Sequence, residues 1–311
     1  MIQNLFQIGE LAEHRGIVVG PLFPRNDPVA EYLTLDEALA GGLRVKETSE
    51  SGSVPELLVE NPLSKRVLLY DGEELVGAKQ NRILNVSVLV EAKSSLTIPV
   101  SCVEQGRWRN VSSSFEAAPN ISHATLRRRK AEAQAAQPLA RGIAQSEVWD
   151  ELREKSVQMG VSSPTGASSD LYRAHERDLR SLESAFPAHP GQCGAVLGIG
   201  RDLCLDLVSR PDAFARLWPK LRAGYLLDAL ERLGGQATPY GEIEALISTI
   251  GRAEWSRQPS AGLGEDVRVR SEHVIGSGLE LEGELVQLSA FRSEDGGRRA
   301  FGRIARPSRR R

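Results

Sequence analysis

The sequence predicts an α+β fold: an antiparallel, β-rich N-terminal part shaped as a sandwich or barrel, a helical middle, and strands returning at the C-terminus. Three observations predict it. Short apolar runs broken by turn residues fill positions 16–108, Ala, Arg, Glu and Leu at helical spacing fill 117–186, and apolar alternation resumes near 266–270 and 284–291. Strands followed by helices, rather than alternating with them, exclude a parallel α/β sheet. The strand-rich part has little of its own to cover it, so 15–292 reads as one integrated domain, followed by a basic, flexible tail at 293–311.

The elements follow in order. Gly16–Leu22 and Glu56–Glu60 read as strands, the second stopped by Asn61-Pro62. Arg66–Tyr70 and Glu73–Gly77 flank Asp71-Gly72, a dipeptide suited to a two-residue hairpin turn. Residues 83–90 and 96–103 make a second hairpin around 92–95. Two or three helices fit 117–186, broken at Gln137-Pro138 and at 162–166. Strands are expected at Cys193–Ile199 and Leu203–Leu207. An amphipathic helix then buries Phe214, Leu217, Trp218, Leu221 and Tyr225, with Pro219 kinking or splitting it. Gly234-Gly235 ends that helix, and Thr238-Pro239 opens the next as N-cap and first-turn proline.

Composition narrows the class. The 311 residues are 41% apolar and 26% charged, enough to bury a core without disulfides or a structural metal. Cys102, Cys193 and Cys204 form no close-spaced pair, which excludes a C-x-x-C framework and suits a reducing compartment. No apolar run approaches about 18 residues, and the start lacks the charged-then-apolar order of a signal peptide. The expectation is a cytoplasmic protein without a membrane partner. Seven of the 39 Lys and Arg lie in the last 14 residues, leaving 32 cations against 41 anions elsewhere. A nucleic-acid groove across the fold is therefore disfavoured, and only the basic tail offers such a contact. The cluster Arg127-Arg128-Arg129-Lys130 reads as an exposed helix face. Gly198-Ile199-Gly200 lacks the third glycine and the following helix of a dinucleotide fingerprint. The five histidines show no metal-ligand spacing, so no cofactor is predicted, although Glu74 and Glu104 would suit a divalent metal.

The informative stretch is 71–109, where polar residues occupy strand positions. Alternation puts Leu84, Val86, Val88 and Val90 on one face with Arg82, and Asn81, Asn85 and Ser87 on the other. Ile98, Val100 and Cys102 share a face with Glu104. Matching the apolar faces sets 86 opposite 100 and hence Arg82 opposite Glu104, where the two would pair. One reading is structural: a buried ion pair with amide groups fixing register. The other is a polar pocket at a sheet edge. In it Glu74 and Glu104 serve acid–base chemistry, Lys79, Arg82 and Arg107 hold an anionic group, Gln80 and Asn81 orient it, and Trp108 is a stacking wall. Two carboxylates among cations suit cleavage of a glycosidic or phosphorus–oxygen bond.

The runs GEELVGAKQNRILNVSVLV and IPVSCVEQGRW resemble the signature of the ARG and Rhodanese-Phosphatase-superfamily-associated Protein domain, a bacterial family formerly classed as a domain of unknown function. Val148-Trp149, Ser163-Pro164-Thr165-Gly166, Gly194-Ala195-Val196, Asp206-Leu207 and 264–268 extend the likeness over most of 15–292. The resemblance implies association with ADP-ribosylglycohydrolase and phosphatase systems, and a role in NAD- or ADP-ribose-linked defence or nucleotide processing. By it the functional residues are Glu74, Lys79, Gln80, Asn81, Arg82, Asn85, Glu104 and Trp108, with Ser87 and Arg107 beside them. Gln287 stands where the family pattern has histidine. The expected function is an enzyme acting on an ADP-ribose-type or nucleotide ligand. The alternative is a non-catalytic module, as a homo-oligomer in one form, that senses a nucleotide or docks on a partner enzyme.

Overall fold

After a 3₁₀ turn at Ile2–Asn4 come strands β1 (Phe6–Ile8), β2 (Ala12–His14), β3 (Ile17–Pro24) and β4 (Leu33–Thr34), and helix α1 (Leu35–Ala40). Strands β5 (Arg44–Glu47), β6 (Glu56–Asn61), β7 (Val67–Leu69), β8 (Glu73–Gly77), β9 (Arg82–Leu84), β10 (Val88–Val90), β11 (Ser94–Cys102) and β12 (Phe115–Ile121) follow. Next are helices α2 (Ala124–Ala136), α3 (Gln145–Gln158), α4 (Ser168–Ala174) and α5 (Glu176–Glu183), then strands β13 (Gly194–Ile199) and β14 (Asp202–Val208). Helices α6 (Pro211–Ala229) and α7 (Tyr240–Arg252) lead to β15 (Glu254–Pro259), β16 (Glu265–Arg270), β17 (Val274–Leu281) and β18 (Glu284–Arg292). The computed structural model describes residues 2–28, 30–49, 52, 53, 55–136 and 145–293. The expected break at Gln137-Pro138 and the basic tail beyond Ser293 lie outside them.

The architecture is mixed α+β with mostly antiparallel sheets, as the residue pattern predicts. A nine-stranded sheet has the order β1-β3-β13-β14-β18-β17-β16-β15, with β2 also on β3. Alternation along its strands serves two cores: on β13, Ala195, Leu197 and Ile199 face α6, whereas Val196 joins Ile243, Leu246 and Ile250 of α7. A six-stranded sheet, β12-β8-β9-β11-β6-β5, curls as a half-barrel, its edge strands β12 and β5 approaching each other. Its interior is filled by Val45, Leu57, Leu84, Ile98 and Phe115, together with residues of the small sheet β10-β7-β4. In that small sheet β4 and β7 are parallel.

Both expected hairpins are corrected. The Asp71-Gly72 turn forms, with Glu73 N–H donating to the Tyr70 carbonyl at 3.0 Å, but β7 pairs with β10 while β8 pairs with β9 and β12. The turn passes the chain from one sheet to another. Likewise 83–90 is two strands, since the chain breaks at Asn85–Ser87 and only β9 pairs with β11. Val100 lies opposite Leu84, and Arg82 opposite Cys102 rather than Glu104. Val88, Leu89 and Val90 are apolar on both sides and so do not fix the register: Val88 and Val90 enter the half-barrel and Leu89 the helix-covered core.

Among the described residues the helical region holds four helices, and β12 occupies 115–121 where helix was expected to begin. Pro219 does not split α6. Ala215, whose carbonyl loses its intrahelical donor, and Pro219 both lie on the exposed side, where water can serve the freed oxygen. The last helix starts one residue later than expected, with Pro239 as N-cap; Thr238 Oγ1 donates instead to the Gly200 carbonyl at 2.8 Å. Among the described residues no helix is long and apolar enough to cross a membrane.

The basic run on α2 is not an exposed face. Arg127 and Lys130 are buried, and Arg127 grips Asp206 with both terminal nitrogens, at 3.0 and 2.6 Å. Ser289, Tyr70 and Tyr225 also donate to that carboxylate, and the Arg127 guanidinium lies 5.4 Å from the rings of Tyr70 and Phe291. Lys130 binds Asp71 and the Leu84 carbonyl, both at 2.6 Å. These contacts tie α2 to both large sheets.

Candidate functional site

The chain leaves the half-barrel where β8 ends. Gly77 has φ +131° and Ala78 φ +39°, so Lys79–Asn81 bend out before the chain re-enters at Arg82. A Cβ on Gly77 would lie 2.5 Å from Ser112 Oγ. Gly77→Ala is therefore expected to cost about 1–2 kcal/mol in chemical denaturation and to disturb the neighbouring 105–114 turn.

That turn is organised by Glu104 and Arg107. Arg107 Nε lies 2.7 Å and Nη2 2.6 Å from Glu104 Oε2, with both side chains buried. The remaining guanidinium hydrogens go to the carbonyls of Gly77, Ala78 and Arg109 and to Asn81 Oδ1. Asn81 N–H and Thr165 Oγ1 complete the Glu104 carboxylate. Gln80 Nε2 donates to the Glu104 carbonyl. Arg107 and Glu104 thus act as a clamp, and Glu104 pairs with Arg107 where Arg82 was expected.

Arg82 has the opposite character. Its side chain is fully buried and Nη1 donates to Gln80 Oε1 at 3.0 Å, yet Nε and Nη2 have no hydrogen-bond partner among the described residues. Glu47 Oε1 stands 4.0 Å from Nη2, and Glu47 Oε2 is likewise buried without a partner. Burial lowers the Arg82 pKa. Above it lies Trp108, half exposed, with the Arg82 guanidinium 5.8 Å and Lys79 Nζ 5.5 Å from its ring. The arrangement offers a half-exposed π-surface beside one partly exposed cation, Lys79, and one buried cation, Arg82.

Glu74 points away from this group. The pairings Glu74↔Ile83 and Leu75↔Arg82 put Glu74 and Arg82 on opposite faces of the sheet. Asn120 Nδ2 donates to Glu74 Oε2 at 3.2 Å. Burial pushes the carboxyl from 4.5 up to about 7, moderated by that hydrogen bond and reinforced by the charges of Glu104 and Asp170. Asn85 is buried with both amide atoms unpartnered among the described residues, and Ser87 Oγ accepts from Asp71 N–H. Both lie in the break between β9 and β10, apart from Trp108.

The structure therefore gathers Lys79, Gln80, Asn81, Arg82, Glu104, Arg107 and Trp108, and leaves Glu74, Asn85 and Ser87 elsewhere. Glu47 escaped the sequence reading, because it sits on β5 with no motif around it; only the need of a buried arginine for an anion could have signalled it. Thr165 was visible only through the family likeness. Two surface clefts, of about 450 and 700 Å³, contain none of these residues; the first is lined by Thr125, Arg128, Asp228 and Arg232, the second by Asp36, Arg44 and Phe115. Among the described residues no group of three or more His, Cys, Asp or Glu could hold a metal ion.

The family model for the ARG and Rhodanese-Phosphatase-superfamily-associated Protein domain matches residues 6–291. No curated protein and no solved structure matches the chain.

Proposed function

The chain belongs to the ARG and Rhodanese-Phosphatase-superfamily-associated Protein domain family, and from that premise we propose that it binds a nucleotide-type ligand at the Trp108 face. The domain name links it to ARG and rhodanese-phosphatase-associated systems, within which it would act as the nucleotide-sensing component. The observation that carries this reading is the half-exposed Trp108 ring with Lys79 and Arg82 both against it. An aromatic face stacks a base while adjacent cations hold phosphate. The commitment of Glu104 to Arg107, Asn81 and Thr165 supports binding over turnover at this face. Glu74, with its pKa about 7, favours a second reading in which it is the acid–base group of a hydrolase.

Thermal-shift titration with AMP, ADP-ribose and NAD tests the proposal. A ligand at 100 times its Kd adds about 2.7 kcal/mol, and Trp108→Ala is expected to abolish the shift without unfolding the protein. Product analysis of the same mixtures should show the ligand unchanged. Conversion lost in Glu74→Gln would establish the hydrolase instead, and no shift with any nucleotide would remove the proposal.

A further inference from the structure

The Arg82–Glu47 gap is incompletely satisfied on both sides. Nε and Nη2 are the two nitrogens on one edge of the guanidinium, the edge that takes an oxyanion side-on through two parallel hydrogen bonds. Here, among the described residues, both lack a hydrogen-bond partner, and the facing carboxylate is 4.0 Å away at its nearer oxygen, with Oε2 buried and likewise unpartnered. A buried donor or acceptor left unmade is costly, so a group that reaches both sides at once gains from each. Two donors facing one acceptor fit an anion that still carries a proton.

We infer that Arg82 and Glu47 form a receptor for a monoprotonated phosphate, the end of a phosphomonoester, with Trp108 as its movable cover. Two phosphate oxygens accept from Arg82 Nε and Nη2, and the P–OH donates to Glu47 Oε2. Because the Arg82 side chain is fully buried, the Trp108 ring must swing off the guanidinium to admit the ligand. The inference rests on the nucleotide-binding reading and narrows it to nucleotides with a terminal phosphate, the ends released when a pyrophosphate is hydrolysed. A phosphodiester or pyrophosphate linkage has no P–OH to offer and would meet Glu47 with charge against charge. Sulfate, of the same shape, is also without a proton at neutral pH.

The charged and titratable groups facing Arg82 are Glu47 on β5, Lys79 in the bend, Cys102 on β11, and Glu104 and Arg107 in the following turn. The ligand's second ionisation, near pH 6, therefore sets the pH dependence. The monoanion falls from about half of the total at pH 6 to about one part in a hundred at pH 8. Affinity should weaken by about fifty-fold over that interval.

Calorimetric titration of the full chain with methyl phosphate, a simple phosphomonoester whose dianion has no P–OH, and with sulfate, at pH 6 and pH 8, tests this without a variant. Methyl phosphate should bind, about fifty-fold more tightly at pH 6, and sulfate should not compete. In Glu47→Gln, which replaces an acceptor-only group by one that can donate, sulfate should gain and the pH dependence flatten. Equal binding of methyl phosphate and sulfate, or methyl phosphate binding indifferent to pH, would overturn the inference in favour of simple attraction to Lys79 and Arg82. Failure of methyl phosphate while ADP-ribose still shifts the melting temperature would overturn it and leave the nucleotide-binding reading standing. Failure of every nucleotide would remove both.

Discussion

Asp206→Asn is expected to lower stability by about 3–5 kcal/mol, the cost of leaving a buried arginine without its anion. Asp206 is fully buried at the junction of β14 and β18, opposite Ser289, and it accepts from Arg127, Tyr70, Tyr225 and Ser289 together. The amide substitute keeps one acceptor oxygen but turns a donor towards a ring of donors. Urea denaturation of the variant should show a lower midpoint with an unchanged slope. The double change Asp206→Leu with Arg127→Met should cost less than the single one, because it removes both charges at once. Equal losses in single and double variants would show that packing, not the charge pair, holds α2 to the sheets.

Glu74 carries the second large effect, with a sign opposite to that of most acidic residues. Its folded pKa of about 7 exceeds the ordinary 4.5, so between those values the native state holds a proton that the unfolded chain has released. Stability must then fall as pH rises from about 4.5 to 7 and level off above. A shift of this size corresponds to no more than about 3 kcal/mol. Glu74→Gln preserves the hydrogen bond with Asn120 and removes the ionisation. The variant should match wild type near pH 4.5 and exceed it by up to about 3 kcal/mol at pH 8, read from urea midpoints across that range. A variant that tracks wild type at every pH would show that the native carboxyl ionises normally.

Local chemistry was legible in the residues, and partner choice was not. Asn61-Pro62 ended a strand and Asp71-Gly72 made a turn because these residues act through their own φ angles. Which strand paired with which depended on long-range competition: Asp71 N–H goes to Ser87 Oγ and Tyr70 N–H to Glu73 Oε2, contacts that part β7 from β8. The site followed the same rule. Residues 79–82 and 104–108 were recognisable as one polar patch, and alternation put Arg82 on the face of Leu84, but the register was misplaced by two residues, because a three-residue strand such as β9 takes its register from its neighbours β8 and β11. The i,i+3 spacing of Glu104 and Arg107 was the local sign of their pairing, and it was outweighed by the attraction of matching two apolar faces.

The nine-stranded sheet also sets a schedule for the nascent chain. Strand β3 closes against β13, with Gly20 opposite Val196 and Ile17 opposite Ile199, so its main partner is translated some 180 residues later. At about 5–20 residues per second, the ribosome takes on the order of 10–35 s to supply it. Throughout that time Ile17, Val18, Val19 and Leu22, all buried in the finished fold, have only the β1 and β2 segments beside them. The half-barrel strands, β5 to β12, are complete within the first 121 residues and can assemble early, whereas the first apolar strand to emerge must be shielded until β13 arrives.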